Sequence, residues 1–228
     1  MTISIVIPVY DAGGRGVEFL SNNIDHILLQ SFNDYEVIIS DHSINGNISE
    51  YLSYIDDDRI KYYVNNRGRG SSSVNLNNAI RYATGDIIKP IFQDDYLFHP
   101  EALEIIAKRF GEGARWLVCG NNSTYDRKDY FNDMIPYWND DIVYGENTLS
   151  SPSCLAYTNN GMKWDERLIW LVDCKFYRDL YDRYGDPTIE DTILVTNYGH
   201  EGQLTNTMGQ GRKDWEANLM KKEYENRI

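Results

Sequence analysis

An apolar run of strand length, Ile87-Ile88-Lys89-Pro90-Ile91-Phe92-Gln93-Asp94-Asp95, stops abruptly at two adjacent carboxylates. A strand that is buried on both faces of a sheet has such a nearly continuous hydrophobic sequence. In an open α/β sheet, ligands bind beyond the carboxyl ends of the strands, and Asp94 and Asp95 would lie there. Hard divalent cations prefer carboxylate oxygens, so the run predicts a metal site. The alternative is a solvated turn or a helix start ahead of Pro100.

Three similar runs precede this one, at residues 3–8, 35–40 and 59–64. Apolar residues recur at helical spacing after the first run, after the third and after the acidic tip. The helical faces are Val17, Leu20, Ile24, Ile27 and Leu28, then Leu76, Ala79, Ile80 and Ala83, then Leu103, Ile106, Ala107 and Phe110. Alternating strands and helices predict an α/β fold, with a parallel sheet covered by helices on both faces.

The second half of the chain is less regular. A fifth strand is predicted at residues 116–120, and the alternation then stops over the polar, aromatic segment 121–170. A long irregular segment in a compact chain is more often a binding lobe than a linker. A further strand is predicted over residues 192–198, and an exposed, charged helix over residues 215–224.

Composition excludes several classes of protein. The chain has 228 residues and a formal net charge of −13, which argues against a nucleic-acid partner that needs phosphate neutralisation. None of its stretches approaches the roughly 20 apolar residues of a membrane span, and the sequence lacks the pattern of a signal peptide. Cys119, Cys154 and Cys174 are odd in number and widely spaced, which indicates buried thiols in a reducing compartment. We therefore expect a cytoplasmic location.

An acid also falls on an apolar helical stripe in the second half. If a helix begins near Leu171, Asp173 shares one face with Phe176, Tyr177 and Leu180. An acid in the first turn can simply serve the helix dipole. The other interpretation is a base that points into the cleft, because an acid on an inward stripe needs a reason.

A histidine follows the predicted strand over residues 192–198. His200 stands between Gly199 and Gly202, and a neutral imidazole at a strand end can ligate a metal. A surface or hydrogen-bonded histidine is the alternative.

Taken together, these motifs resemble the family-two glycosyltransferases of the GT-A fold. The resemblance rests on the opening run 4–10, on Asp41, on the helical segment 73–83 with Asn77, on Gly85, and on Gln93-Asp94-Asp95. It implies a GT-A-type α/β fold with a mixed, mostly parallel sheet flanked by helices and a C-terminal lobe on the acceptor side. It also implies one domain over residues 1–228, in which residues 1–120 bind a nucleotide sugar and residues 121–228 face the acceptor.

Family roles carry over to matching positions only. The resemblance implies donor contacts at Pro8, Val9, Tyr10, Asp41, Arg67, Arg69, Asn77 and Asp94. It implies a divalent metal, Mn²⁺ or Mg²⁺, on Asp95, and Asp173 as the base that deprotonates the acceptor hydroxyl. Two departures stand out, since Gln93 replaces the first acid of the usual Asp-x-Asp, and Asn75-Leu76-Asn77 replaces Ala-Arg-Asn. The missing acid makes His200 a candidate for an additional metal ligand.

The function implied is an inverting, metal-dependent transfer of a sugar from a nucleoside-diphosphate sugar to a hydroxyl of a glycan or glycolipid. Surface polysaccharide, lipopolysaccharide or other glycan synthesis would use such a reaction. Trp138, Trp164 and Trp170 are candidate stacking platforms or core residues. Two alternatives remain open, namely a sugar-1-phosphate nucleotidyltransferase, weakly suggested by Gly13-Gly14-Arg15-Gly16, and a non-catalytic nucleotide-sugar or glycan-binding protein.

Overall fold

The computed structural model describes residues 1–225 and, within them, every side chain but that of Thr205. The strands are β1 (Ile3–Val9), β2 (Tyr35–Asp41), β3 (Ile60–Val64), β4 (Ile87–Pro90), β5 (Tyr96–Leu97), β6 (Trp116–Thr124), β7 (Tyr130–Met134), β8 (Leu155–Thr158) and β9 (Thr188–Tyr198). The helices are α1 (Gly16–Leu28), α2 (Asn47–Leu52), α3 (Ser72–Ile80), α4 (Ala102–Gly111), α5 (Val172–Tyr184), α6 (Leu204–Thr207) and α7 (Gln210–Glu225), and short 3₁₀ turns lie at Ala12–Gly14, Asp140–Tyr144 and Pro152–Cys154.

These strands form one mixed sheet in the order β3-β2-β1-β4-β8-β6-β9-β5, and β7 pairs with β6. The first four strands are parallel, as their alternation with helices predicts. Among the later strands, β6 and β9 are parallel and the remaining pairs are antiparallel. Both predicted halves of the chain therefore contribute strands to the same sheet.

Parallel pairing brings the strand ends to one edge. In the register of β1 and β2, Val9 lies opposite Asp41, and Val6 lies opposite Pro90 of β4. Every residue of β1, β2 and β4 is buried, which explains their continuous apolar sequences. The acidic tip after β4 therefore lies beside the ends of β1 and β2.

Two glycines are required by close approach of the backbone. A Cβ atom on Gly16, at the start of α1, would lie 2.4 Å from the Tyr10 carbonyl oxygen. A Cβ atom on Gly85 would lie 2.7 Å from the Thr2 carbonyl oxygen. Gly16 therefore has a packing role, which accounts for one glycine of the Gly-Gly-Arg-Gly stretch without a phosphate loop.

Several expectations for the second half need correction. β9 begins at Thr188 and α7 at Gln210, four and five residues before their predicted starts. β6 extends to Thr124, four residues beyond its predicted end, because β9 pairs with it along that length. The C-terminal helix is charged but not simply exposed, since Glu216, Met220 and Tyr224 are buried along one of its faces.

The three cysteines are free and buried, as expected. Within residues 1–225, each helix is too short or too polar to cross a membrane.

Candidate active site

A cleft of about 530 Å³ opens at the carboxyl edge of the parallel strands. Its walls are the ends of β1 and β2, the start of α3, the turn at 151–152, the start of α5 and the loop after β9. The predicted site residues that line it are Pro8, Val9, Tyr10, Asp94, Asp95, Asp173 and His200. Residues that are more than 160 positions apart in sequence thus share one cavity.

Four other predicted contacts lie outside the lining of this cleft. Asp41 is 1% exposed, and its carboxylate accepts hydrogen bonds from the Tyr62 hydroxyl at 2.8 Å and from the Ser43 backbone N–H at 2.7 Å. The Asn77 amide donates to the Trp164 carbonyl oxygen at 2.8 Å, so it joins α3 to the later segment.

Both arginines of the predicted loop have partners within the protein. Arg67 is exposed and forms an ion pair with Glu166. Arg69 donates to the Asn66 side-chain oxygen at 2.6 Å. The part of the loop that reaches the cleft is Gly70 and Ser71, of which Ser71 also caps α3. Direct donor contacts by Asp41, Arg67, Arg69 and Asn77 stay predictions.

The Asp95 carboxylate is 5% exposed and lies beside that of Asp94. Burial, together with the negative charge of Asp94, raises the pKa of Asp95 to about 7. Hydrogen bonds from Ser151, Ser153 and Asn197 oppose that rise. A buried carboxylate next to a second one is costly to ionise, and a cation at this tip would remove that cost. The chemistry of the tip therefore fits a hard divalent cation.

His200 completes this end of the cleft. Its Nε2 atom lies 3.0 Å from Oδ2 of Asp94, so the contact of the histidine is with Asp94. Among the described residues, no group of three or more His, Cys, Asp or Glu side chains is arranged to hold a metal ion. A metal on Asp95 and His200 stays a prediction, and it would need oxygen ligands from a bound substrate.

Two amide side chains hold the strand ends in place. The Gln93 side-chain oxygen accepts the Tyr10 backbone N–H at 2.8 Å, so the residue that replaces the usual first acid ties β1 to the acidic tip. The Asn75 amide donates to the carbonyl oxygens of Val9 and Ser40 at 3.0 and 2.8 Å. Asn75 thereby fixes the distance between β1 and β2 at the floor of the cleft.

Asp173 lies in the first turn of α5, with its carboxylate against the cleft. Its Oδ2 atom accepts the Asn147 side-chain amide at 2.8 Å, and its Oδ1 atom accepts the Cys174 backbone N–H at 2.8 Å. Burial raises the pKa of Asp173 to about 6, against the ordinary 3.8, and the hydrogen bonds limit that rise. A carboxylate with this pKa is ionised at neutral pH and still basic enough to accept a proton.

Several residues of the site were missed by the sequence reasoning. His42, which directly follows the end of β2, lines the cleft, and the rule that placed Asp41 at a strand end could have found it. Ser151 and Asn197 line the cleft beside Asp95, and Asn147 orients Asp173. These three lie in irregular segments or inside a strand, where periodicity gives no signal for a polar partner.

The three candidate tryptophans have different surroundings. Trp164 is 2% exposed and stacks on Phe176 with ring centroids 4.1 Å apart, so it belongs to the core. Trp138 stacks on Tyr181 at 4.0 Å. Trp170 lines the cleft three residues before Asp173 and is the tryptophan placed to contact a ligand there.

Comparison with known proteins gives a family match. The family model described as Glycosyl transferase family 2 matches residues 4–164. The glycosyltransferase GlyG of Streptococcus pneumoniae is 26% identical over 129 residues, which are 56% of this chain and 41% of GlyG. A Campylobacter jejuni protein named GalNAc(5)-diNAcBac-PP-undecaprenol beta-1,3-glucosyltransferase is 30% identical over 113 residues, which are 49% of this chain and 35% of that protein. The chain thus spans well under half the length of these curated relatives.

Solved structures share the fold. Residues 1–349 of S. aureus TarS in complex with UDP superpose with a TM-score of 0.70 at 17% identity, over 96% of this chain and 70% of that one. The mannosyltransferase PcManGT from Pyrobaculum calidifontis, in complex with GDP-Man and Mn²⁺, gives a TM-score of 0.59 at 14% identity, over 93% of this chain and 59% of that one. These likenesses confirm the predicted GT-A-type α/β fold, with a mixed sheet flanked by helices.

Proposed function

This chain belongs to glycosyl transferase family 2, and from that we propose that it transfers a sugar from a nucleoside-diphosphate sugar to a hydroxyl group of a glycan or glycolipid. One observation carries the proposal. The acidic tip at Asp94 and Asp95 and the buried carboxylate of Asp173 face the same cleft, which the ends of β1 and β2 also line. Such an arrangement offers a place for a charged donor and a base for the acceptor in one cavity.

The donor would lie along the strand ends, from the wall at His42 and Asn75 to the acidic tip. The diphosphate of the donor needs positive charge, and Arg67 and Arg69 would have to leave their partners within the protein to supply it. Asp94 and Asp95, with His200 beside them, would hold Mn²⁺ or Mg²⁺. Burial and the charge of Asp94 make the ionised form of Asp95 costly and raise its pKa to about 7, and a bound cation offsets that cost. When bound, the metal would supply charge neutralisation to the diphosphate as it departs.

Asp173 acts on the acceptor. The hydrogen bonds from Asn147 and from the Cys174 backbone hold its carboxylate still, and its raised pKa makes it a stronger base than an ordinary aspartate. As the acceptor oxygen attacks the anomeric carbon, its proton passes to an Asp173 oxygen, and the bond from that carbon to the diphosphate oxygen breaks. Attack from the face opposite the leaving group inverts the anomeric configuration. A positioned general base typically contributes about 10²–10⁴-fold to the rate.

The acceptor side of the cleft is formed by Trp170, Ile169 and the turn at Ser151 and Pro152. An indole beside a base suits a sugar ring, because its flat apolar face can pack on the ring while polar groups hold the hydroxyls. Surface polysaccharide, lipopolysaccharide or other glycan synthesis would supply acceptors of this class.

The proposal is tested with a panel of sugar nucleotides and Mn²⁺, first by thermal shift and then by hydrolysis and transfer assays. We expect transfer with inversion, read from the anomeric proton coupling of the product. Asp173→Asn should lower kcat by at least 10²-fold while the Kd for the nucleoside diphosphate stays within twofold.

The matched control is Asp182→Asn, the same chemical change on the same helix, where the carboxylate pairs with Arg178 on the outer side. Its transfer rate should equal that of the wild type. Full activity in Asp173→Asn would refute the base assignment. Nucleotide binding without hydrolysis or transfer by the wild type would favour the non-catalytic alternative, and release of pyrophosphate from a nucleoside triphosphate would favour the nucleotidyltransferase.

A further inference from the structure

The chain enters α5 without a cap of its own. Leu171 is the N-cap residue, and its apolar side chain makes no capping hydrogen bond. Helix N-termini leave backbone N–H groups that need acceptors, and a buried N–H without one is costly. The acceptor for the segment just before α5 comes instead from α7, 45 residues farther along the chain.

That acceptor is Glu216. Its Oε2 atom accepts the backbone N–H groups of Trp170 and Leu171 at 2.8 and 3.0 Å, and its Oε1 atom accepts that of Ile169 at 3.0 Å. The Arg212 Nε atom donates to Oε1 at 2.7 Å. The side chain of Glu216 is 0% exposed, so four hydrogen bonds replace the water that its carboxylate has lost.

The remaining contacts of α7 keep this carboxylate in place. Met220 and Tyr224 continue the buried face of Glu216 at positions i+4 and i+8, and they are 1% and 7% exposed. The Arg212 guanidinium also donates to the Arg167 carbonyl oxygen. Met220, Tyr224 and Arg212 therefore anchor α7, whereas the carboxylate of Glu216 supports the 169–171 backbone.

The segment that Glu216 holds is next to the two groups proposed to face the acceptor, Trp170 and Asp173. Trp170 belongs to the bonded segment and lines the cleft, and Asp173 follows Leu171 by two residues. We propose that Glu216 is a positioning residue for catalysis, which sets the place of the Trp170 indole and the Asp173 carboxylate from outside the cleft. This inference rests on the proposed function, because positioning of a base matters only if the base acts.

A neutral amide cannot replace this carboxylate. Glutamine at position 216 has the same shape but only one acceptor oxygen, and its NH₂ group must face either the Trp170 and Leu171 N–H groups or the Ile169 N–H and Arg212. Either orientation sets donors against donors. The segment before Asp173 would then loosen, and a misplacement of about 1 Å in a reacting group can cost up to about 10²-fold in rate.

The test compares Glu216→Gln with Glu223→Gln. Glu223 lies on the same helix, and its carboxylate pairs with the side chain of Arg167 rather than with backbone N–H groups. Glu216→Gln should lower kcat at least tenfold with the donor KM within twofold. Its acidic pH limb should move to lower pH, because water that reaches Asp173 removes the burial that raises its pKa. Glu223→Gln should change neither kcat nor the position of the acidic limb.

Amide hydrogen exchange gives a readout that needs no turnover. Exchange at residues 169–171 should rise at least tenfold in Glu216→Gln and stay unchanged in Glu223→Gln. A wild type that transfers no sugar refutes the proposed function, and the exchange data then still decide whether Glu216 orders this segment. Wild-type kcat, pH profile and exchange in Glu216→Gln would overturn the inference.

Arg212→Gln is the second variant in case Glu216→Gln fails to fold. It removes the guanidinium that pairs with the buried carboxylate and that also donates to the Arg167 carbonyl oxygen, so Glu216 must take up a proton or turn towards water and its bonds to the three backbone N–H groups weaken. We expect a loss of about threefold or more in kcat at unchanged donor KM. An unchanged kcat in this variant, with unchanged exchange at residues 169–171, would equally overturn the proposed role of Glu216.

Discussion

Replacement of Asp173 by asparagine should make the protein more stable relative to the wild type as pH rises from 4 to 7.5, although the same change should lower its activity strongly. The carboxylate is buried, and burial raises its pKa to about 6, against 3.8 for an ordinary aspartate. The folded state therefore binds the proton more tightly than the unfolded state does. Stability that this group contributes is fully present below about pH 3.8 and is lost as pH rises through about 6.

The difference between a pKa of about 6 and one of 3.8 corresponds to about 3 kcal/mol of unfolding free energy, at about 1.36 kcal/mol for each pH unit. Asparagine does not titrate, so it avoids that loss. The unfolding free energy of Asp173→Asn minus that of the wild type should be more positive by about 2–3 kcal/mol at pH 7.5 than at pH 4. The lower end allows for the water that reaches the partly exposed residue from the cleft.

The assay is equilibrium unfolding in urea at 25 °C, followed by circular dichroism, at several pH values between 4 and 7.5. A chelator keeps bound cations from contributing. Asp165→Asn is the control of opposite sign, because the hydrogen bond and charge of Arg167 hold the pKa of Asp165 below its ordinary range. Its stability cost should be present at pH 7.5 and stay nearly constant down to pH 4, because it shrinks only as pH falls below 3.8 through the lowered pKa of Asp165. A difference between Asp173→Asn and wild type that does not depend on pH would refute a desolvated carboxylate at Asp173.

Three further predictions concern the site. The transfer rate of the wild type should fall below about pH 6, because Asp173 must be ionised to accept a proton, and the residual rate of Asp173→Asn should lack this limb in a profile of kcat/KM against pH. Asp95→Asn should abolish the strengthening of nucleoside-diphosphate binding by Mn²⁺, measured by calorimetry with and without the metal, and equal strengthening in variant and wild type would contradict the metal assignment. Asn75→Ala should lower the free energy of unfolding by about 2–4 kcal/mol, because two strand-end carbonyl oxygens lose their donor, whereas Asn78→Ala, which loses one bond to a serine hydroxyl, should cost about 1 kcal/mol.

Much of the fold could be predicted because its signals are local. The apolar runs that become β1, β2 and β4 are buried along their whole length, and such runs are read directly from the sequence. Parallel pairing then brings the carboxyl ends of these strands to one edge, so Tyr10 and Asp94, which the family resemblance assigned to one site, line the same cleft.

Polar partners were harder to predict. The donor contacts expected of Arg67 and Asn77 stay predictions, but the partners of these side chains within the protein could not be foreseen. The Arg67 guanidinium pairs with Glu166, 99 residues farther along the chain, and the Asn77 amide binds the Trp164 backbone. A polar side chain with no spacing pattern can bond to any surface that the chain brings near, so its partner follows from the path of the whole chain.

The buried face of the C-terminal helix was also hard to predict, because it depends on a polar partner in a distant segment. Glu216, Met220 and Tyr224 lie at helical spacing, so a stripe was present in the sequence, but its first member is an acid and the helix was predicted to be exposed. The identity of the buried face depended on the three backbone N–H groups that meet Glu216.

The amino-acid sequence by itself determined the alternation of strands and helices, the acidic tip after β4 and the inward direction of Asp173, because each follows from the periodicity of neighbouring residues. Only the tertiary structure decided that His200 meets Asp94, that Asn147 orients Asp173 and that Glu216 supports the backbone before it. These contacts join segments that are 26 to 106 residues apart. Hydrogen bonds act over about 3 Å, so they exist only once the packed sheet has set those segments side by side.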